Sequence, residues 1–430
     1  MKILDQSTSL ISIALFVFLC SCNTSKAPEK DAQPKQESNG LIVNASSYVA
    51  KSTNAAIAAD SSFVTLNGAD EWLDFDIEVP EVGRYRLDVD VHAKDSGAVI
   101  WLEDYRDNKD DRTYNISTDI ELKPGDSENF STVSRDGIPL NNVLHKMRFH
   151  ASGNVDVSEI RLELLKPHRN TPEVLTQNMD GGDWELVWMD EFEEDGSPDT
   201  TKWTYDFGNW GWGNQELQYY TRNRLKNARC EGGNLIIEAH KNDMGQKWTS
   251  ARLTTREKTA FVYGKIELRA KVPPEKGNWS AGWTLGDSYV DELSWPYCGE
   301  IDILESVGYQ MDNETGNGIA HASAHCPAYY FKLGNQPTAT TEVKNMNQEF
   351  HTYGIIWTPD SIAAYVDDEI YFTYSDTSNE ATWPFSDPQN IILNLTMGGG
   401  WGGAEGMDPS VTTQKMVIDY VRVYQRKKLN

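Results

Sequence analysis

Between Gly299 and Ser306 the chain reads Glu300-Ile301-Asp302-Ile303-Leu304-Glu305, three carboxylates within six residues of an otherwise apolar run. On a strand, side chains alternate between faces, so Glu300, Asp302 and Leu304 share one side while Ile301, Ile303 and Glu305 share the other. One residue bulged out between Asp302 and Glu305 returns all three acids to a common face, and bulges gather beside active sites because they re-aim side chains. A helix serves the acids less well, since at about 100° per residue Glu300 and Glu305 diverge by roughly 140°.

With one residue absorbed by a bulge, the Glu300 and Glu305 backbones stand roughly 13 Å apart at about 3.3 Å per step. Two glutamates leaning together close that to about 5–6 Å between carboxyl groups, the separation used by retaining glycosidases. Asp302 between them can hold a shared proton and keep one neighbour acidic enough to donate. Three clustered acids also suit a cation site or a solvated edge strand, so the neighbouring sequence has to decide.

Glu-Ile-Asp-Ile-Leu-Glu behind the lead Trp295-Pro296-x-x-Gly299 resembles the bulged ExDxxE signature of glycoside hydrolase family 16, found in laminarinases, agarases and carrageenases. The resemblance implies Glu300 as nucleophile, Glu305 as general acid/base and Asp302 as the helper. Wider stretches carry it further: Asn209-Trp210-Gly211-Trp212-Gly213-Asn214-Gln215-Glu216 is similar to the Gly/Trp-rich loop of laminarinases. Gly277-Asn278-Trp279-Ser280-Ala281-Gly282-Trp283 matches the strand before the catalytic one, and Leu393-Asn394-Leu395, Gly398 to Gly403 and Asp419-Tyr420-Val421-Arg422 follow in the family's order. The fold expected for 183–427 is therefore an all-β, concanavalin-like jelly roll with a substrate cleft, and the many short strands between turn signals agree with it.

A groove that holds several sugars needs flat rings for C–H faces and polar groups for hydroxyls. Trp210, Trp212, Trp279, Trp283, Trp295 and Trp401 are candidates for its lining, with core burial the competing fate of each. Asn214 and Glu216, in a glycine-rich loop, are read as hydroxyl-binding. His321 and His325 fall on one face of an alternating stretch, and the resemblance implies that His325 faces the cleft beside the acid/base. It also implies a structural calcium on Glu191, a carbonyl near Gly233 and Asp419. No cofactor is expected for catalysis.

Ahead of this domain, residues 41–166 alternate polar and apolar in short runs such as Trp72 to Val79 and Tyr85 to Val91, the pattern of a β-sandwich. The run Asn67 to Phe75, with Gly83-Arg84-Tyr85 and His145 to Phe149, resembles carbohydrate-binding module family 6. In that reading Tyr48 and Trp72 are candidates to stack on sugar. Residues 167–182, with two prolines and a Gly-Gly, are expected to be a linker. Residues 23–40 read as a flexible tether.

The apolar run Leu10 to Leu19 is too short for an ordinary membrane span and ends in Cys20-Ser21-Cys22, which resembles a bacterial lipoprotein signal with lipid on Cys22. The chain is then exported, anchored to the bacterial envelope by lipid alone or secreted. Of five cysteines, Cys230, Cys298 and Cys326 remain, enough for at most one disulfide. A formal charge of −26 over 430 residues argues against nucleic acid and favours a neutral polysaccharide. The whole reads as a monomeric retaining endo-glycosidase cutting internal β-1,3 links of a laminarin-type glucan. The alternatives are a family 16 hydrolase of another β-glucan or of a red-algal galactan (agar, porphyran or carrageenan), or a glucan-binding protein without chemistry.

Overall fold

The structure, a computed structural model, describes residues 40–105, 113–123, 129–177 and 182–426. Cys22 and nearly all of the 23–40 tether lie outside them. No helix among the described residues is long and apolar enough to cross a membrane. The architecture is all-β: one ten-stranded sheet from residues 41–167, then a nine-stranded and a ten-stranded sheet.

In the first sandwich the expected alternation is realised residue by residue. Tyr85, Leu87, Val89 and Val91 in Gly83–Ala93 are buried, while Arg84, Arg86, Asp88 and Asp90 between them are half-buried. Each such apolar side chain contributes about 1.5–3 kcal/mol on burial, which fixes the register because a one-residue slip would expose them all. The 24-residue strand Leu144–Pro167 is the spine. One edge pairs with Val64–Glu78, and the other passes from Val99–Asp104 to Gly83–Ala93. Trp72 is half-buried, and the Arg148 guanidinium covers one of its faces 4.0 Å from the ring centre.

The second sandwich packs the nine-stranded sheet against the ten-stranded one. Ile301, Ile303 and Leu393 from the first sheet share one apolar core with Leu268, Trp357 and Val421 from the second. Glu300–Val307 sits inside the nine-stranded sheet, between Asn278–Gly286 and Gly318–His325. An interior strand holds its side chains more firmly than an edge or a loop, because both backbone edges are hydrogen-bonded.

Of the expected 167–182 linker, residues 178–181 lie outside the described residues, and the stretch before them is not a linker but is tied to the second sandwich. Glu173–Thr176 pairs parallel with Thr259–Val262 as an edge strand, and the Thr171 hydroxyl donates to Asp287 Oδ1 at 2.6 Å. Four β-compatible residues beside an open edge outweigh the turn signals around them. The two sandwiches also meet directly. A Cβ on Gly208 would lie 1.9 Å from the Asp136 carbonyl oxygen, and one on Gly137 would lie 1.8 Å from that of Phe207. Both glycines have positive φ, +115° and +86°, so only glycine allows this backbone-to-backbone approach. Beside them Asn209 N–H donates to the Asp136 carbonyl at 3.1 Å, and Asp136 N–H donates to Asn209 Oδ1 at 3.0 Å.

Candidate active site

Against Gly318–His325, the acidic strand shifts register between Asp302 and Glu305: Asp302 faces Ser323 and Glu305 faces His321. Three steps on one strand match two on the other. The same shift appears on the opposite edge, where Gly282 faces Leu304 and Trp283 faces Asp302. Consecutive residues Ile303 and Leu304 therefore both enter the core, each fully buried. Straightening the strand would bring Leu304 onto the acidic face, forfeiting about 2 kcal/mol of apolar burial, and would drive the Glu305 carboxylate into the core. The fold therefore enforces the bulge.

Glu300, Asp302 and Glu305 all line one cleft. Two tryptophan N–H groups fix its acids. Trp295 Nε1 donates to Glu300 Oε2 at 3.0 Å, and Trp279 Nε1 donates to Glu305 Oε1 at 3.0 Å. His325 Nε2 lies 3.3 Å from Asp302 Oδ2 and 3.7 Å from Glu300 Oε1. His325 thus stands opposite Glu300, not beside Glu305 as expected. The residue opposite Glu305 is His321, whose Nε2 meets Gln310 Oε1 at 2.7 Å. Antiparallel pairing dictates the exchange, since the later histidine returns to the start of the acidic strand.

Burial pushes all three acids toward the protonated form. Glu300 rises to about 8, chiefly from desolvation and then from Asp302, with His325 and the Trp295 N–H pulling the other way. Asp302 is also raised by burial. Glu305 is raised well above its ordinary value, through desolvation first and the neighbouring Asp302 charge second, with the Trp279 N–H pulling the other way.

Around the acids the cleft is lined by Trp210, Trp212, Asn214, Glu216, Trp279, Trp283 and Trp295. Trp401 packs edge-on against Trp279 with ring centres 5.2 Å apart and against His321 at 4.9 Å. Trp210 is 1 % exposed and Trp212 7 %, so both serve as cleft floor and as core. Glu216 is buried and accepts from Gln218 Nε2 at 2.6 Å; desolvation raises it to about 7.

The family model described as glycosyl hydrolases family 16 matches residues 204–422. The chain belongs to glycosyl hydrolase family 16. A "Beta-glucanase" of Rhodothermus marinus is 46 % identical over 250 residues, covering 56 % of this chain and 85 % of that protein. A "Glucan endo-1,3-beta-glucosidase" of Cryptopygus antarcticus is 37 % identical over 243 residues, covering 53 % of this chain and 86 % of the relative. Among solved structures, the laminarinase from Rhodothermus marinus superposes with a TM-score of 0.54 at 44 % identity, covering 57 % of this chain and 99 % of that one. The family match leaves the N-terminal sandwich outside it.

Within the family 16 domain, the carboxylates expected to hold calcium are engaged otherwise. Arg422 grips Glu191 with two hydrogen bonds of 2.7 and 2.8 Å, and Arg269 pairs with Asp419. Gly233 contributes only an open, positive-φ turn. Two carboxylates already neutralised by arginine do not fit a cation that needs their charge. Cys230, Cys298 and Cys326 are buried and unpaired, and burial pushes the Cys298 thiol far up, which removes it from nucleophilic chemistry.

The cleft also holds residues the sequence reading missed: Tyr114, Arg252, Tyr289, Glu292, Phe331, Lys332, Asn394 and Thr396. Asn394 accepts from Trp283 Nε1 at 2.8 Å, and its signal was a polar residue between two leucines in an apolar strand. Arg252 lies over the rings of Trp212 and Trp283, 4.9 and 4.8 Å from their centres, while its Nε donates to Asp206 at 3.1 Å. Nothing local in the sequence marks Tyr114, which reaches the cleft from the other sandwich.

Proposed function

We propose that this protein is a retaining endo-β-1,3-glucanase acting on laminarin-type glucan. Glu300 attacks the anomeric carbon while Glu305 gives its proton to the departing glycosidic oxygen, leaving a glycosyl ester on Glu300. Glu305, now a base, takes a proton from water; that water attacks the same carbon and releases a product of retained configuration. The observation that supports this most is the bulge, which sets three acids on one cleft wall with a separate tryptophan N–H on each outer one. Desolvation raises both outer acids and a tryptophan N–H favours the anion of each, so the roles of Glu300 and Glu305 follow their order in the family 16 signature. Glycosidase chemistry on a carboxylate pair uses no cofactor.

Substrate class rests on the relatives' names and on the lining. The cleft is rich in indole faces; of its two cations, Arg252 pairs with an Asp206 that Arg84 also shares, and Lys332 sits over the Tyr114 ring. Five acidic side chains, Glu216, Glu292, Glu300, Asp302 and Glu305, share the cleft with those two cations, a poor match for a sulfated galactan. We further propose that the protein is exported, with Cys22 as its lipid anchor, and that it acts as a monomer.

Glu300→Ala and Glu305→Ala each should lower hydrolysis of laminarin by about a thousandfold or more while glucan binding in a gel-retardation assay persists. Turnover near wild type in either variant would overturn the assignment. Lichenan, agarose and carrageenan, run beside laminarin, should be cut less efficiently; preferential release from a galactan would favour the second substrate class.

A further inference from the structure

We infer that the N-terminal sandwich supplies one wall of the substrate cleft, and that its Tyr114 is a specificity-determining residue limiting how many sugar units fit on the Trp295 side of the reacting centre. The inference rests on the β-glucan reading above. Tyr114 lines the same cleft as the three acids although it lies 181 residues before Trp295, which leads into their strand. Its hydroxyl lies 3.4 Å from the Trp295 carbonyl oxygen, and Trp295 in turn holds Glu300 through its indole N–H. The Lys332 ammonium sits 3.7 Å from the centre of the Tyr114 ring, a cation–π contact that ties the wall to the catalytic domain.

This wall is built into the fold rather than resting loosely against it. The Gly137 and Gly208 backbones touch with no room for a Cβ, Asp136 exchanges two hydrogen bonds with Asn209, and Thr118 bonds Gln215 in the Gly/Trp loop. Arg84 pairs with Asp206 at 3.3 Å. One apolar core runs from the sandwich into Trp210, Trp212 and Trp295. A rigid surface so close to Glu300 bounds the groove on that side, so a long glucan cut at an interior bond must turn out to solvent there. The number of glucosyl units held on the Trp295 side is therefore small, and the last of them meets the wall that the buried Tyr114 and the Lys332 above it form.

The test compares full-length wild type, Tyr114→Phe and Tyr114→Ala on β-1,3-linked glucose oligomers of defined length, labelled at the reducing end. Phenylalanine keeps the wall and should preserve the wild-type cleavage positions. Alanine opens it, so the main cleavage site should move by at least one sugar and longer oligomers should gain in kcat/KM relative to shorter ones. Identical cleavage positions in wild type and a folded Tyr114→Ala would overturn the inference. Should the alanine variant not fold, Lys332→Ala, which shortens the other side of the same wall, must shift the pattern, and an unchanged pattern there overturns the inference equally. Failure of wild type to cut any of these oligomers would instead sink the β-glucan reading, and the wall argument with it.

Discussion

The Trp295 indole nitrogen and the Glu300 carboxylate are joined at 3.0 Å across a turn of five residues, so the aromatic ring at the head of the acidic strand also tunes its first acid. A neutral donor to a carboxylate favours the ionised form. Trp295→Phe keeps an aromatic ring to pack against Tyr330 and Phe331 but removes that donor. Glu300 then becomes harder to ionise, and the acidic limb of kcat/KM should move to higher pH by about one unit, with roughly tenfold lower kcat near the old optimum. A limb that stays in place would show that another group sets the acidic side of the profile.

Asp302 acts on its neighbours in the opposite sense. Its charge helps to raise both Glu300 and Glu305, after the larger effect of burial. Asp302→Asn conserves shape and cancels the charge, so Glu305 should give up its proton more readily. The alkaline limb of kcat should shift toward lower pH, and turnover at neutral pH should fall about ten- to a hundredfold. pH–rate profiles of the two proteins decide it, and an alkaline limb that moves upward would contradict the proposed role.

The bulge was legible in the sequence because its two outcomes differ in kind: without it Glu305 enters a core that Ile303 and Leu304 fill. The alternation of Gly83–Ala93 was legible for the same reason, a hydrophobic face that tolerates no slip. What escaped was set by partners far away in the chain. The arginines on Glu191 and Asp419 come from neighbouring paired strands that are distant in the chain, so acidic residues that suit calcium in isolation are spent on ion pairs. Tyr114 owes its place to domain docking, which no local pattern encodes. Glu173–Thr176 looked like linker because pairing with Thr259–Val262 becomes visible only once that edge exists.

Glu216 offers a test in stability rather than rate. Its folded-state value of about 7 stands above the ordinary 4.5, mainly through desolvation. A carboxyl raised on folding contributes its stability below the unfolded value and loses it as pH rises through the folded one. Wild type should therefore weaken between about pH 4.5 and 7 through this residue, by roughly 3 kcal/mol in all for a shift of about 2.5 units. Glu216→Gln does not titrate, so whatever its fixed cost in lost hydrogen bonds, its stability relative to wild type should rise across that window. Urea unfolding at pH 4.5 and pH 8 measures the difference, and a pH-independent gap would show that Glu216 ionises freely in the folded protein.

Domain docking can be separated from simple backbone strain by two glycines of similar conformation. Gly196 and Gly208 have φ of +127° and +115°, yet a Cβ on Gly196 meets nothing within 4 Å while one on Gly208 collides with the Asp136 carbonyl. Gly196→Ala should cost only the local conformational penalty, about 1–2 kcal/mol. Gly208→Ala adds the collision, which cannot be relieved by rotating a side chain because both atoms belong to backbone. The sandwiches must separate or the loop before Trp210 must move, and the expected total is about 3–5 kcal/mol. Calorimetry should then show a lower Tm for Gly208→Ala and a first transition split from the second, whereas Gly196→Ala keeps one. Equal effects of the two substitutions would mean that the contact between Gly137 and Gly208 does not hold the sandwiches together.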